Sequence, residues 1–210
     1  MFPKAPDNWF NHKIRRGDGI FDRKSFEYTI SACTKFRTAL DIGAHVGTWS
    51  LGMAKRFENV LSFEPNEINY QFLKENTRNT ENIQIKHCAM GDKNCHVSMM
   101  PGIENSGMSY VSLEQGDVPM MTVDYFIRES GYPVYEKYII DLIKIDVEGF
   151  ELPVLMGAKD TIERYKPVIM VELSGHGDRF GFPDKDVQDY LLSLGYTLFG
   201  KTNKDYVYRM

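Results

Sequence analysis

The sequence predicts an α/β protein with a mostly parallel central sheet, closed by an antiparallel hairpin at its C-terminal end. Three observations carry this reading. From Arg37 to Leu194, short apolar runs of strand length alternate with stretches of helical periodicity. That order implies crossover connections and parallel neighbours. The strand candidates end on Asp41, Glu64, Ala89, Asp146 and Glu172, so four of five tips are acidic. In an open α/β sheet those tips are where ligands bind. Finally, Tyr196–Phe199 and Tyr206–Tyr208 flank K-T-N-K-D as a hairpin, which such a sheet accepts.

The elements follow in order. The first twenty residues are polar and aromatic, with Pro3, Pro6, Gly17 and Gly19, and form an irregular arm. Phe21, Phe26, Ile30 and Cys33 then fall at helical spacing and predict a helix over Asp22–Lys35, capped by Asp22. Arg37–Ile42 is the first strand, Thr48–Arg56 a helix, and Asn59–Phe63 the second strand. Asn66–Asn76 is a helix with Ile68, Phe72 and Leu73 on one face, and Ile83–Cys88 is the third strand. A loop-rich middle follows. Leu142–Ile145 is the fourth strand, Leu152–Glu163 a helix, Pro167–Leu173 the fifth strand, and Asp184–Leu194 the last helix.

Composition narrows the function. The chain has 210 residues, 42% of them hydrophobic, enough for one sizeable core. A net charge of -4 gives no general attraction to nucleic acid or acidic membranes. Lys13, Arg15 and Arg16 are the nearest thing to a basic cluster and are too few to change that. No basic stripe interleaved with aromatics is present. The three cysteines, Cys33, Cys88 and Cys95, form no CxxC pair and argue against a disulfide framework. With the five histidines they make no zinc-spaced set, and no metal is assigned. No apolar run reaches the roughly 18 residues of a membrane span, and the opening M-F-P-K-A-P-D-N-W-F lacks the apolar core of a signal peptide. A cytoplasmic protein is expected.

The strand tips hold the candidate site. In A-L-D-I-G-A-H-V-G-T-W-S, Asp41 precedes a turn bracketed by Gly43 and Gly47. Glycine permits positive φ and close approach of a ligand. The pattern D-x-G-x-x-x-G differs from the G-x-G-x-x-G of dinucleotide folds. A carboxylate before the turn suits a ligand bearing an ammonium group, as S-adenosylmethionine (AdoMet) does; the alternative is a plain capped turn. Glu64 follows Asp41 by 23 residues, the spacing of an acid that holds both ribose hydroxyls, in AdoMet and NAD alike. In H-C-A-M-G-D, Ala89 and Met90 offer an apolar surface to adenine, and Asp92 an acceptor for its amine or a simple turn. In K-I-D-V-E-G-F-E, Asp146 and Glu148 flank the cleft. They suit proton abstraction, contact with an ammonium, or Mg²⁺; Glu148 and Glu151 also suit helix capping. Glu172 fits either a buried pair with Lys144 or catalysis. His176, between glycines, is a candidate general base or an exposed loop histidine.

Taken together, these stretches resemble the FkbM-type family of AdoMet-dependent methyltransferases. The resemblance runs from about Thr38 to Leu173, through A-L-D-I-G-A-H-V-G-T, L-S-F-E-P-N, C-A-M-G-D, N-S-G (Asn105–Gly107), T-V-D-Y-F-I, L-I-K-I-D-V-E-G-F-E, Gly157-Ala158 and P-V-I-M-V-E. It implies a Rossmann-like class I methyltransferase fold, with residues 1–35 as arm and helix and 36–210 as the catalytic domain. AdoMet is the implied cofactor, and the implied partner is a small-molecule or glycan acceptor with a hydroxyl, not nucleic acid or membrane. Asp41, Gly43 and Gly47 are implied at the methionine part, Glu64 at the ribose, and Asp146 and Glu148 by the methyl. His45 departs from the asparagine usual in the family, keeps one hydrogen bond, and is expected to alter the pocket's pH dependence. The segment Cys95–Tyr125 and the arm Met1–Phe21 are expected to build the acceptor side. Two rivals stand beside this reading: a nicotinamide-dependent oxidoreductase, which lacks its glycine motif here, and a non-catalytic methyltransferase-like binding module.

Overall fold

A computed structural model of the chain describes residues 3–7, 11, 19–102, 106–129 and 138–210. Most of the arm, the group Lys13, Arg15 and Arg16, and Asn105 of the N-S-G stretch lie outside the described residues.

Asp22 caps helix α1 (Arg23–Ala32) as expected, its carboxylate accepting from the Ser25 N–H. The helix stops where Cys33 turns extended, short of Lys35. Strand β1 (Thr38–Ile42), helix α2 (Thr48–Met53) and strand β2 (Asn59–Phe63) follow. Asn66 caps α3 (Glu67–Thr77) by accepting from the Asn69 N–H. The buried face of α3 carries Asn69, Leu73 and Thr77, spaced by four. Ile68, expected inside, is 61% exposed.

After β3 (Ile83–Lys86) the middle of the chain is more ordered than its sequence suggests. Strands β4 (Ala89–Met90), β5 (Cys95–Met100), β6 (Tyr110–Ser112) and β7 (Val118–Met121) form a second sheet in the order β4-β7-β5-β6. Helix α4 (Val123–Glu129) and strand β8 (Ile140–Ile145) come next. The helix expected over Leu152–Glu163 is two helices, α5 (Glu151–Met156) and α6 (Lys159–Tyr165). They break at Gly157, where a Cβ would stand 2.0 Å from the Gly91 carbonyl oxygen. Strand β9 (Val168–Glu172), helix α7 (Asp184–Ser193) and the hairpin β10 (Thr197–Thr202) and β11 (Asp205–Arg209) complete the chain.

Among the described residues the main sheet has seven strands in the order β10-β11-β9-β8-β1-β2-β3. Its pairs are parallel except those that β11 makes with β9 and β10. Alternation sorts the side chains of β9 to two cores: Ile169 and Val171 to one, Val168 and Met170 to the other. Strand order reverses at β1, between β2 and β8, and that switch point is where such folds bind ligands. No helix among the described residues is long and apolar enough to cross a membrane.

Candidate active site

Beyond Ile42 the chain turns through Gly43 at φ 79°. A Cβ there would lie 1.8 Å from the Asp146 carbonyl oxygen, so the neighbouring end of β8 is what requires the glycine. His45 adopts φ 51° and Glu148 φ 57°, both left-handed, a strain that tends to collect at functional sites. These turns open a cavity of about 470 Å³ at the carboxyl ends of β1, β2 and β8.

Glu64 forms one wall. Its Oε2 accepts from the His45 N–H and its Oε1 from the Asn66 N–H, each at 2.8 Å. Burial pushes its carboxyl up to about 7, against those two N–H groups. Asn69, one helical turn further on, lines the same wall and is buried.

Across β1 lies a charged group centred on Lys144. Register places Lys144 beside Asp41, on one face of the sheet. Lys144 Nζ donates to the Gly43 carbonyl at 2.7 Å and stands 3.2 Å from Asp41 and 3.5 Å from Asp146. Burial opposes its charge, but Asp41 and Asp146 outweigh burial and raise its pKa. Asp41 is fully buried, and its second oxygen accepts from the Ser50 hydroxyl at 2.6 Å. The cation beside it is the chain's own lysine, and Asp41, expected at a ligand ammonium, does not line the cavity.

One register step beyond, Asp146 and Glu172 stand side by side, and Glu148 completes a trio whose oxygens lie within 4.8 Å of one another. That spacing suits a cation or a proton-sharing group. Burial, then Asp146 and Glu148, raise the Glu172 carboxyl. The expected Lys144–Glu172 pair is replaced by Lys144 with Asp41 and Asp146. Burial, with Asp146 and Glu151 beside it, raises Glu148 to about 8. His176 Nδ1 lies 2.6 Å from Glu148 Oε2, and burial, Arg179 and Lys204 lower its pKa. Both partners favour their neutral forms, so this contact is a hydrogen bond rather than an ion pair.

The second sheet roofs the cavity. His45 Nε2 lies 2.8 Å from the Ser106 hydroxyl, which donates to Asp7 at 2.7 Å. The hydroxyl then accepts from His45, which fixes the Nε2–H tautomer. Burial lowers His45 to about 4, so this histidine stays neutral near neutral pH and does not bring the pH dependence expected of it there. Tyr110 stands at the opposite rim with the Arg179 guanidinium 4.2 Å above its ring.

Of the residues singled out in the sequence, Gly43, His45, Glu64, Ala89, Met90, Asp146, Glu148 and His176 line one cavity. Asp41, Gly47 and Asp92 do not: Asp41 lies beneath it, Gly47 packs toward Leu73, and Asp92 is exposed. Sequence reasoning missed Asn69 and Lys204 as lining residues, while Ser106 lies in the N-S-G stretch and in the segment expected on the acceptor side. Asn69 had a signal in its spacing of four from Leu73; Lys204 is brought in by the pairing of β11 with β9.

An acid-walled cavity at the switch point of this sheet defines the class I methyltransferase fold. The sequence matches the model of the Methyltransferase FkbM domain over residues 41–198, and the chain belongs to that family. The methyltransferase FkbM of Methylobacillus flagellatus KT aligns with a TM-score of 0.56 at 22% identity, covering 83% of this chain and 44% of that one. The chain thus spans less than half of that relative. SMU.1697c of Streptococcus mutans, in complex with SAH, aligns with a TM-score of 0.54 at 12% identity, covering 89% and 94%. At these identities both share the fold. No curated protein matches the chain.

Proposed function

We propose that this chain moves the methyl group of AdoMet to a hydroxyl oxygen of a saccharide or related small molecule. Family membership and the SAH held by the S. mutans relative make AdoMet the cofactor. The residues fit that molecule. Each Glu64 oxygen spends one lone pair on a backbone N–H and keeps another for the ribose diol. Ala89 and Met90 give a purine an apolar wall.

The observation that carries the reading is what one cavity holds on the two sides of β1. On the β2 side stands an acid suited to a nucleoside, and on the β8 side a group of carboxyls able to take a proton. When bound, AdoMet supplies a methyl on a sulfonium, open to in-line displacement by an acceptor oxygen. Asp146 takes the hydroxyl proton, with Lys144 holding its carboxylate in place. Glu148 and His176, both neutral, donate and accept hydrogen bonds to neighbouring hydroxyls, as a polyhydroxylated acceptor needs. Fixing acceptor and donor in line supplies much of the rate. The cytoplasm is the proposed setting, since all three cysteines are free.

The test is transfer of labelled methyl from AdoMet across a panel of saccharides. Asp146→Asn is expected to lower kcat by roughly 100-fold or more while SAH still binds. Full turnover in that variant would remove Asp146 from the role of base. SAH binding without transfer to any acceptor would favour a binding module instead.

A further inference from the structure

Asn69 presents a feature that the fold does not explain. It is 2% exposed, on the inward face of α3, and it lines the cavity beside Glu64. Its amide nitrogen donates to the Ser106 carbonyl at 3.0 Å. A carbonyl only accepts, so that bond sets which end of the amide faces Ser106. Oδ1 is the end left over. It is buried and finds no donor among the described residues. Folded proteins rarely leave such an oxygen unmatched without a use for it.

The surroundings say what kind of ligand atom is missing. Glu64 on the same wall is also an acceptor, with its N–H partners already in place. The wall therefore calls for a group rich in O–H or N–H donors. The nucleoside half of AdoMet has them: two ribose hydroxyls and the adenine amine. Asp92, the acceptor expected for that amine, is exposed and outside the cavity. Ser106 is itself held by His45 and Asp7, so the Asn69 amide is oriented before any ligand arrives.

We infer that Asn69 Oδ1 is a cofactor-binding acceptor for one hydrogen-bond donor of the nucleoside, oriented by the Ser106 carbonyl. This rests on the methyltransferase reading above. Asn69 then does for one nucleoside donor what Glu64 does for the ribose, and the Ser106 turn is a positioning element of the cofactor site.

The experiment is calorimetry of SAH and three analogues, lacking the 2′-hydroxyl, the 3′-hydroxyl or the adenine amine, on wild type and Asn69→Ala. Asn69→Ala is expected to weaken SAH roughly tenfold, the scale of one buried hydrogen bond. It is also expected to abolish the wild type's preference for SAH over one analogue and leave the other two preferences intact. An equal loss for every ligand, or SAH affinity kept within about twofold, would overturn the inference. If Asn69→Ala does not fold by thermal melt, Asn69→Ser is read by the same criteria. Wild type that binds no SAH would sink the methyltransferase reading, and this inference with it; wild type that binds SAH as Asn69→Ala does would sink this inference alone.

Discussion

Glu64 and Glu151 are buried and Glu148 partly buried, and burial raises the carboxyls of Glu64, Glu148 and Glu151 to about 7, 8 and 7. In the unfolded chain each titrates near 4.5. Between those values the fold binds more protons than the unfolded chain, so stability falls as pH rises. His45 and His176 act in the opposite sense, but only below the unfolded histidine value of 6.5, because their folded values are lowered. The window from pH 6.5 to 8 therefore belongs to the glutamates. The ligand-free protein is expected to melt a few degrees lower at pH 8 than at pH 6.5, and Glu148→Gln to flatten that slope. Differential scanning fluorimetry across the window checks it; a melting point that rises with pH would refute the assignment. Within the Asp146, Glu148 and Glu172 trio, the raised carboxyls of Glu148 and Glu172 limit repulsion.

At the scale of elements, the site depends on how closely the ends of β1 and β8 approach. Gly43 has a left-handed φ and no room for a Cβ against the Asp146 carbonyl. Gly43→Ala should cost roughly 2–4 kcal/mol, from overpacking and left-handed strain together, and displace Asp146. Chemical denaturation measures the first effect, and an unchanged midpoint would contradict it. These elements were also the most legible in the sequence. The bounds of β2 were read residue for residue and those of β1, β3, β8 and β9 to within two, because buried parallel strands are short apolar runs; the antiparallel β10 runs three residues past its expected end at Phe199. What the sequence hid depends on partners far along the chain. Gly157 stands at the break between two helices, where the Gly91 carbonyl leaves no room for a Cβ, and the second sheet is made of strands too short and mixed to show a period. In the site, Glu64 was visible from its spacing. Asp41 was misplaced because its partner, Lys144, is set by the β1–β8 register. The same register puts Glu172 beside Asp146, one step beyond the lysine it was expected to meet.

Across the whole molecule, the cavity joins parts with different sequence origins. Strands β1, β2 and β8 give the floor, the second sheet gives Tyr110 and the turn between β5 and β6 gives Ser106 to the roof, and the turn before β11 brings Lys204 to the rim. The central claim is that the Glu64 wall of this cavity holds the nucleoside of AdoMet. Calorimetry of AdoMet, SAH and NAD on wild type and Glu64→Ala tests it most directly. The account predicts that AdoMet and SAH bind, that NAD does not, and that Glu64→Ala weakens SAH about 100-fold by removing charge-assisted hydrogen bonds. SAH affinity unchanged in a folded Glu64→Ala, or binding of NAD alone, would contradict it.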